Sequence, residues 1–222
     1  MSHAGLPPDL KAKVLASVAK QPGPSRAQTR VRAALAWVLG GGFAIALFAA
    51  AGFRLGTRPV AFLAVSAGGW LVLSVVALVL SYGRGHSMLG RSRRALVGTL
   101  AAGGAVLGWM LVCIAMWPEA ADDHAPRIAH VACFVYSLLI ASGPFAAMTW
   151  IRRGSDPVNP RLTAAAYGVA AGLLAGVLMD VHCAYADVEH IVLGHVLPVA
   201  GFAVLGWLLG ERLLGVRVRG ER

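Results

Sequence analysis

The chain has 222 residues, 58% of them hydrophobic and only 14% charged, far below the roughly 25% charged residues of a soluble domain. The apolar residues come in long runs rather than at amphipathic spacing, which points to lipid as the solvent. A net charge of +10 would suit nucleic acid, but the arginines abut the apolar runs. Membrane topology and anionic headgroups account for them, and no direct nucleic-acid contact is expected.

In chain order, residues 1–32 form a polar leader. Within it PPDLKAKVLASVAK has helical character, because Pro8 and Asp9 suit a first turn. Leu10, Val14 and Val18 then line one face at a spacing of four, and Gln21-Pro-Gly-Pro-Ser stops the helix. So short a helix is marginal alone in water. It is expected to order by docking on the membrane or on a partner.

Six runs follow at 33–53, 60–81, 95–117, 128–151, 162–179 and 191–209. Each reaches or approaches the roughly 20 residues a helix needs to cross a bilayer. Helix is the expected form, since a lone strand in lipid leaves its backbone polar groups unpaired. The first run is too long, and its leader too long, for a cleavable signal. The fold expected is an all-α integral membrane protein. It is a six-transmembrane-helix bundle over 33–209, followed by a basic tail at 210–222.

Charge sets the orientation. The leader, the loops 82–94 and 152–161 and the tail hold 17 of the 20 Lys/Arg. Only Arg54, Arg58 and Arg127 fall on the other side. Both termini are therefore expected in the cytoplasm. The opposite loops, 54–59, 118–127 and 180–190, are too short to fold alone. In the fifth run Gly168, Gly172 and Gly176 repeat a GxxxG step on one face, expected to serve packing within the bundle. Gly40–Gly42 and the segment 101–104 are expected to do the same.

The chemistry-capable residues are one-sided. Cys113, Cys133, Cys183, His124, His130, His182, His190 and His195 all fall toward the outer face. His130 and Cys133, three apart, share a helix face, and His195 comes close to their depth. Thiols with imidazoles suit zinc or copper, while two cysteines in an oxidising compartment suit a disulfide. Plain packing accounts for Cys113, and His182 and His190 read equally well as hydrated interface residues. No CxxC, HExxH, nucleophile elbow, Walker loop or dinucleotide fingerprint is present, and no enzymatic activity is expected. The bare midplane and the lack of broken helices argue against a proton-coupled transporter. A haem- or metal-binding membrane protein or small transporter, with His130 and His195 as ligands, is the alternative reading; otherwise no cofactor is expected.

Taken together, several features resemble one family. They are six spans, a PxxLxxxVLxxV-like leader helix ending in a Pro/Ser/Arg stretch, and His182-Cys183 followed by His190, His195 and Pro198. A glycine-rich last span closes on Gly210-Glu-Arg-Leu. Over nearly its whole length the chain resembles the NrsF-type anti-sigma proteins of proteobacteria. In length and Ala/Gly/Arg-rich composition it is also similar to a light-responsive member controlling carotenoid genes. The resemblance implies a repressor that holds an extracytoplasmic-function (ECF) sigma factor at the inner membrane and releases it on a stress or light signal. It also implies that the two sensing cysteines are Cys133 and Cys183, with His130, His182, His190 and His195 around them. Where the family commonly has Cys-Pro, this chain has Cys183-Ala184.

Overall fold

The computed structural model describes residues 25–52, 58–82, 91–122, 124–153 and 158–215. The leader face of Leu10, Val14 and Val18 lies outside them. Six helices run in order: α1 (Arg26–Ala51), α2 (Val60–Tyr82), α3 (Arg93–Met116), α4 (Arg127–Ile151), α5 (Pro160–His182) and α6 (Val188–Leu214). A single 3₁₀ turn, Pro118–Ala121, joins α3 to α4. All six are long and apolar enough to cross a membrane, and no sheet forms among the described residues. The all-α, six-span expectation holds.

The helices extend past the apolar runs for local reasons. α1 begins at Arg26 because Ser25 and Gln28 form a capping box. The Ser25 hydroxyl accepts from the Gln28 amide, and the Gln28 side chain accepts from the Ser25 amide, so two orphan donors are satisfied. Ser92 caps α3 in the same manner at Ala95. α5 opens on Pro160, whose missing N–H costs nothing in a first turn. It also continues to His182, three residues beyond the run read from sequence. That extension matters, because it draws Asp180 out of the expected loop and into the helix.

α5 is the central helix. It packs most extensively on α6, then on α2 and α4, and it also touches α3 and α1. α1 leans on α4, and α3 on α2. The peripheral helices turn large apolar side chains outward, among them Val38, Leu39, Val72, Val112, Val131 and Leu208. A water-soluble bundle would hide such a surface; in lipid it needs no cover.

Small residues set the distances. A Cβ on Gly168 would run into the Phe202 carbonyl of α6, and one on Gly172 would stand 2.7 Å from the Val199 Cα. Facing them, Gly206 lies against the Ala164 carbonyl of α5. Gly176 departs from this face: its empty side admits the fully buried Trp70 ring of α2. The GxxxG run therefore packs within the chain, two glycines against a helix and the third around an indole. Gly40 meets Gly143 where α1 crosses α4, whereas Gly41, Gly42 and Gly104 have open space around them.

At the end of the bundle rich in arginine, guanidinium groups take up helix C-terminal carbonyls. Arg32 donates to Trp150 O at 2.6 Å, Arg91 to Leu80 O at 2.7 Å, and Arg152 to Tyr82 O at 3.3 Å. The last carbonyls of a helix lack its i+4 amides, although Trp150 O also accepts from the Arg153 amide at 3.3 Å, and a cation suits the negative helix end. The arginines thus fasten α1 to α4, and the loops to α2, whatever they contribute to topology.

Candidate functional site

The opposite end holds the thiols and imidazoles. Cys133 comes from α4, Cys183 caps the C-terminus of α5, and His190 and His195 lie on α6. Their ligand atoms all lie within 4.8 Å of one another. Cys133 Sγ and Cys183 Sγ stand 3.7 Å apart as thiols, and Cys183 Sγ is 3.0 Å from His190 Nε2. His190 and His195 are 0% and 1% exposed. The reading of His190 as a hydrated interface residue is therefore corrected, because the rings of His130, Tyr185 and His195 pack around it.

A change of helix register builds this cluster. Residues five apart on an α-helix point about 140° from one another, so His190 and His195 would not share a face. From Ile191 to Val196 the helix is of the π type, with i to i+5 bonding that stacks such residues. The two rings come to 5.3 Å. The helix stays continuous over Val188–Leu214; only its register changes. Pro198 explains part of it: it has no N–H for the Gly194 carbonyl, which accepts instead from the Ser137 hydroxyl of α4 at 2.9 Å. Gly194 also sits close to α4, where a Cβ would be 3.1 Å from Cys133 Cβ. Asp187 holds the entry to α6, capping the His190 amide at 3.0 Å and accepting from the Ala125 amide at 3.1 Å.

The electrostatics follow from this packing. The Cys133 thiol foremost, then the imidazoles of His190 and His195, hold the Cys183 thiol well below the usual thiol range, against the upward push of burial. Within the cluster, His190 Nδ1 and both ring nitrogens of His195 have no hydrogen-bond partner. Buried polar atoms are ordinarily paired, so these three mark an unusual place.

Next to the cluster lies an ion pair that sequence reasoning missed. Arg58, from the segment before α2, reaches Asp180 Oδ1 at 3.4 Å and also donates to the Asp180 carbonyl. Asp180 Oδ2 accepts from the Ser66 hydroxyl at 2.7 Å. The two charged side chains are 3% and 0% exposed. His182, two residues on, bonds Gly52 O at 2.6 Å. The last turn of α5 is thus tied to both ends of the α1–α2 connection. A serine inside an apolar run and a helix continuing past Met179 were the only local signals.

The family model for negative regulators of sigma F, NrsF, matches residues 16–215. The chain belongs to the NrsF family. No curated protein and no solved structure matches it. Membership makes it a negative regulator of a sigma factor, with a sigma factor as its partner. The matched stretch takes in all six helices, the cluster and Val18, while Leu10 and Val14 precede it.

Within this NrsF-family bundle, four of the six residues expected to sense a signal converge: Cys133, Cys183, His190 and His195. His130 stands at the edge, its ring 5.1 Å from that of His190 and its Nε2 engaged with Ala125 O at 3.0 Å. His182 turns away toward Gly52. Cys113 is a fully buried core residue, matching its assignment to packing. The haem alternative is not supported by the geometry. His190 packs against both His130 and His195, in the space a macrocycle between those two ligands would need.

Proposed function

We propose that this chain is a non-enzymatic, multi-pass anti-sigma factor of the bacterial inner membrane. It holds an ECF sigma factor through its cytoplasmic leader and releases it when the thiol–imidazole end receives a stress or light signal, with carotenoid genes as one output. The NrsF match over residues 16–215 carries the regulatory reading. The cluster supports the sensing role, because it joins α4, α5 and α6 at one point. A chemical change there alters contacts between helices, which a bundle locked by close glycine crossings converts into a small shift of packing.

The test is sigma-dependent reporter output, with and without inducer, at matched membrane levels of the protein. C133S, C183S and H195A variants are expected to repress normally and to respond poorly to inducer. Full induction in the double cysteine variant would remove the sensing role.

The leader binds as a helix laid into a groove of the sigma factor, through Leu10, Val14 and Val18. Leu10→Asp with Val14→Asp is expected to switch the regulon on constitutively while the protein still reaches the membrane. Unchanged repression would move the contact to the loops 82–94 and 152–161. The orientation is read from the 17 basic residues assigned to the cytoplasmic side. Alkaline phosphatase is expected to be active when fused after Asp187 and inactive when fused after Arg153; the reverse pattern would overturn it.

A further inference from the structure

We infer that Cys133, Cys183, His190 and His195 form a binding site for a single thiophilic d¹⁰ metal ion in tetrahedral S₂N₂ coordination, zinc(II) or copper(I). The inference deepens the sensing role proposed above by naming what the cluster takes.

Three observations carry it. First, the donor set is complete and of one chemical kind. Two thiols and two imidazoles with all ligand atoms inside 4.8 Å match the S₂N₂ sets that favour zinc, and thiolates equally favour copper(I). Two sulfurs at about 2.3 Å from a tetrahedral ion lie about 3.8 Å apart, and Cys133 Sγ and Cys183 Sγ lie 3.7 Å apart. To reach tetrahedral spacing the remaining distances contract by about 1.4 Å at most, while the 3.0 Å between Cys183 Sγ and His190 Nε2 opens by about 0.5 Å.

Second, the imidazoles are under-used, the one hydrogen-bond contact of either ring being that of His190 Nε2 with Cys183 Sγ. His195 is 1% exposed, with neither ring nitrogen paired, and His190 Nδ1 is likewise alone. A buried polar group without a partner is destabilising. Coordination would satisfy one nitrogen of His195, and it explains why a π-helical turn places two histidines on one face rather than presenting one to each side.

Third, the site has a wall through which an ion can arrive. A cavity of about 340 Å³ is lined by Cys133, Cys183, His182, Tyr136 and Met179, and Cys133 is only half-buried on it. Around the ligands, Asp187 fixes the loop through His190 N, and Ser137 fixes the π turn through Gly194 O. Both supports hold backbone that carries a ligand, which is how outer-shell groups orient a metal site.

The consequence for regulation is geometric. One ion would join the N-terminal part of α4, the end of α5 and the start of α6. Its gain or loss would therefore change how three helices meet, without requiring a covalent step.

The experiment uses the full chain, purified in detergent, reduced with a non-chelating phosphine and stripped with a chelator. Cobalt(II) is titrated first as the spectroscopic probe, then displaced by zinc(II), and copper(I) is added in a separate arm from a buffered donor. One equivalent of cobalt with intense visible bands and a sulfur-to-cobalt charge-transfer band is expected, and the C133S/C183S chain should lose both. A pale octahedral spectrum, or uptake no greater than in that variant, would overturn the site.

X-ray absorption of the zinc- or copper-loaded unmodified chain gives a reading independent of mutation and of the double variant's folding. Two sulfur neighbours at about 2.3 Å and two nitrogen neighbours at about 2.0 Å support the assignment for zinc, and a mixed sulfur–nitrogen shell supports it for copper. An oxygen-only shell refutes it. Loss of two hydrogens through a Cys133–Cys183 bond, in place of metal uptake, would assign the pair to thiol oxidation and also refute it. None of these readouts involves the sigma factor. Metal bound by a chain whose cysteine variants still induce fully would keep this site and remove the sensing role; failure to bind, with induction lost, would do the opposite.

Discussion

Replacing Asp180 with Ala is expected to destabilise the bundle by about 3–5 kcal/mol, the cost of leaving one partner of a buried ion pair unpaired. The reason lies in Arg58. Its guanidinium has a side chain only 3% exposed, it cannot be neutralised by losing a proton, and Asp180 is its one ion-pair partner among the described residues. Removing the carboxylate also takes the 2.7 Å acceptor from the Ser66 hydroxyl and leaves it only the Leu63 carbonyl at 3.3 Å. The loss would loosen the last turn of α5 from the α1–α2 connection, directly beside Cys183. Thermal unfolding in detergent, followed by loss of soluble monodisperse protein, measures it. The double replacement Arg58→Met with Asp180→Leu should recover most of the deficit, because an apolar pair of similar volume avoids the desolvation of two charges. Equal damage in the single and double variants would show that the pair positions something beyond itself. Ser66→Ala should cost only about 1 kcal/mol, the ordinary value of one hydrogen bond.

The second large effect is expected at the crossing of α5 and α6. Gly168→Leu and Gly206→Leu should each reduce folded protein to a small fraction of the unmodified level. In both cases the added Cβ meets a backbone carbonyl, of Phe202 and of Ala164 respectively. A carbonyl in a helix cannot rotate aside as a side chain does, so the two helices must separate. Overpacking ordinarily costs about 1–3 kcal/mol; here it acts on the most extensive helix pair of the molecule and falls at or above the top of that range. Gly41→Leu and Gly201→Leu serve as controls, since neither glycine has a neighbour within 4 Å. Fluorescence size-exclusion of detergent extracts separates the outcomes. Monodisperse Gly168→Leu at the level of Gly41→Leu would show that the crossing is looser than described.

Both predictions depend on residues whose role no local pattern announces. Gly168 and Gly172 were legible as a close-packing face, because small residues four apart are a local signal. That Gly176, on the same step, would receive the ring of Trp70 was not, since the indole arrives from a helix about a hundred positions earlier. The cysteine and histidine set was legible as a one-sided distribution. Which members would meet was less so: His130, on one helix face with Cys133, looked better placed than His190, yet it ends at the edge with its Nε2 on Ala125.

What the sequence alone determined was what the solvent imposes. Lipid offers no hydrogen-bond partners to the backbone, so each crossing must be a helix of about 20 apolar residues. That requirement writes itself into contiguous runs that are readable without knowing any contact. The count of six spans and the all-α class came from there. The tertiary structure alone decided the site. Arg58 and Asp180 are 122 positions apart, and their pairing depends on α5 running past its apolar stretch. His190 and His195 share a face only because the helix between them takes the π form, a register that depends on a proline and on a serine from another helix. Contacts between distant segments leave no periodicity in the chain. They exist only once the helices have been brought together.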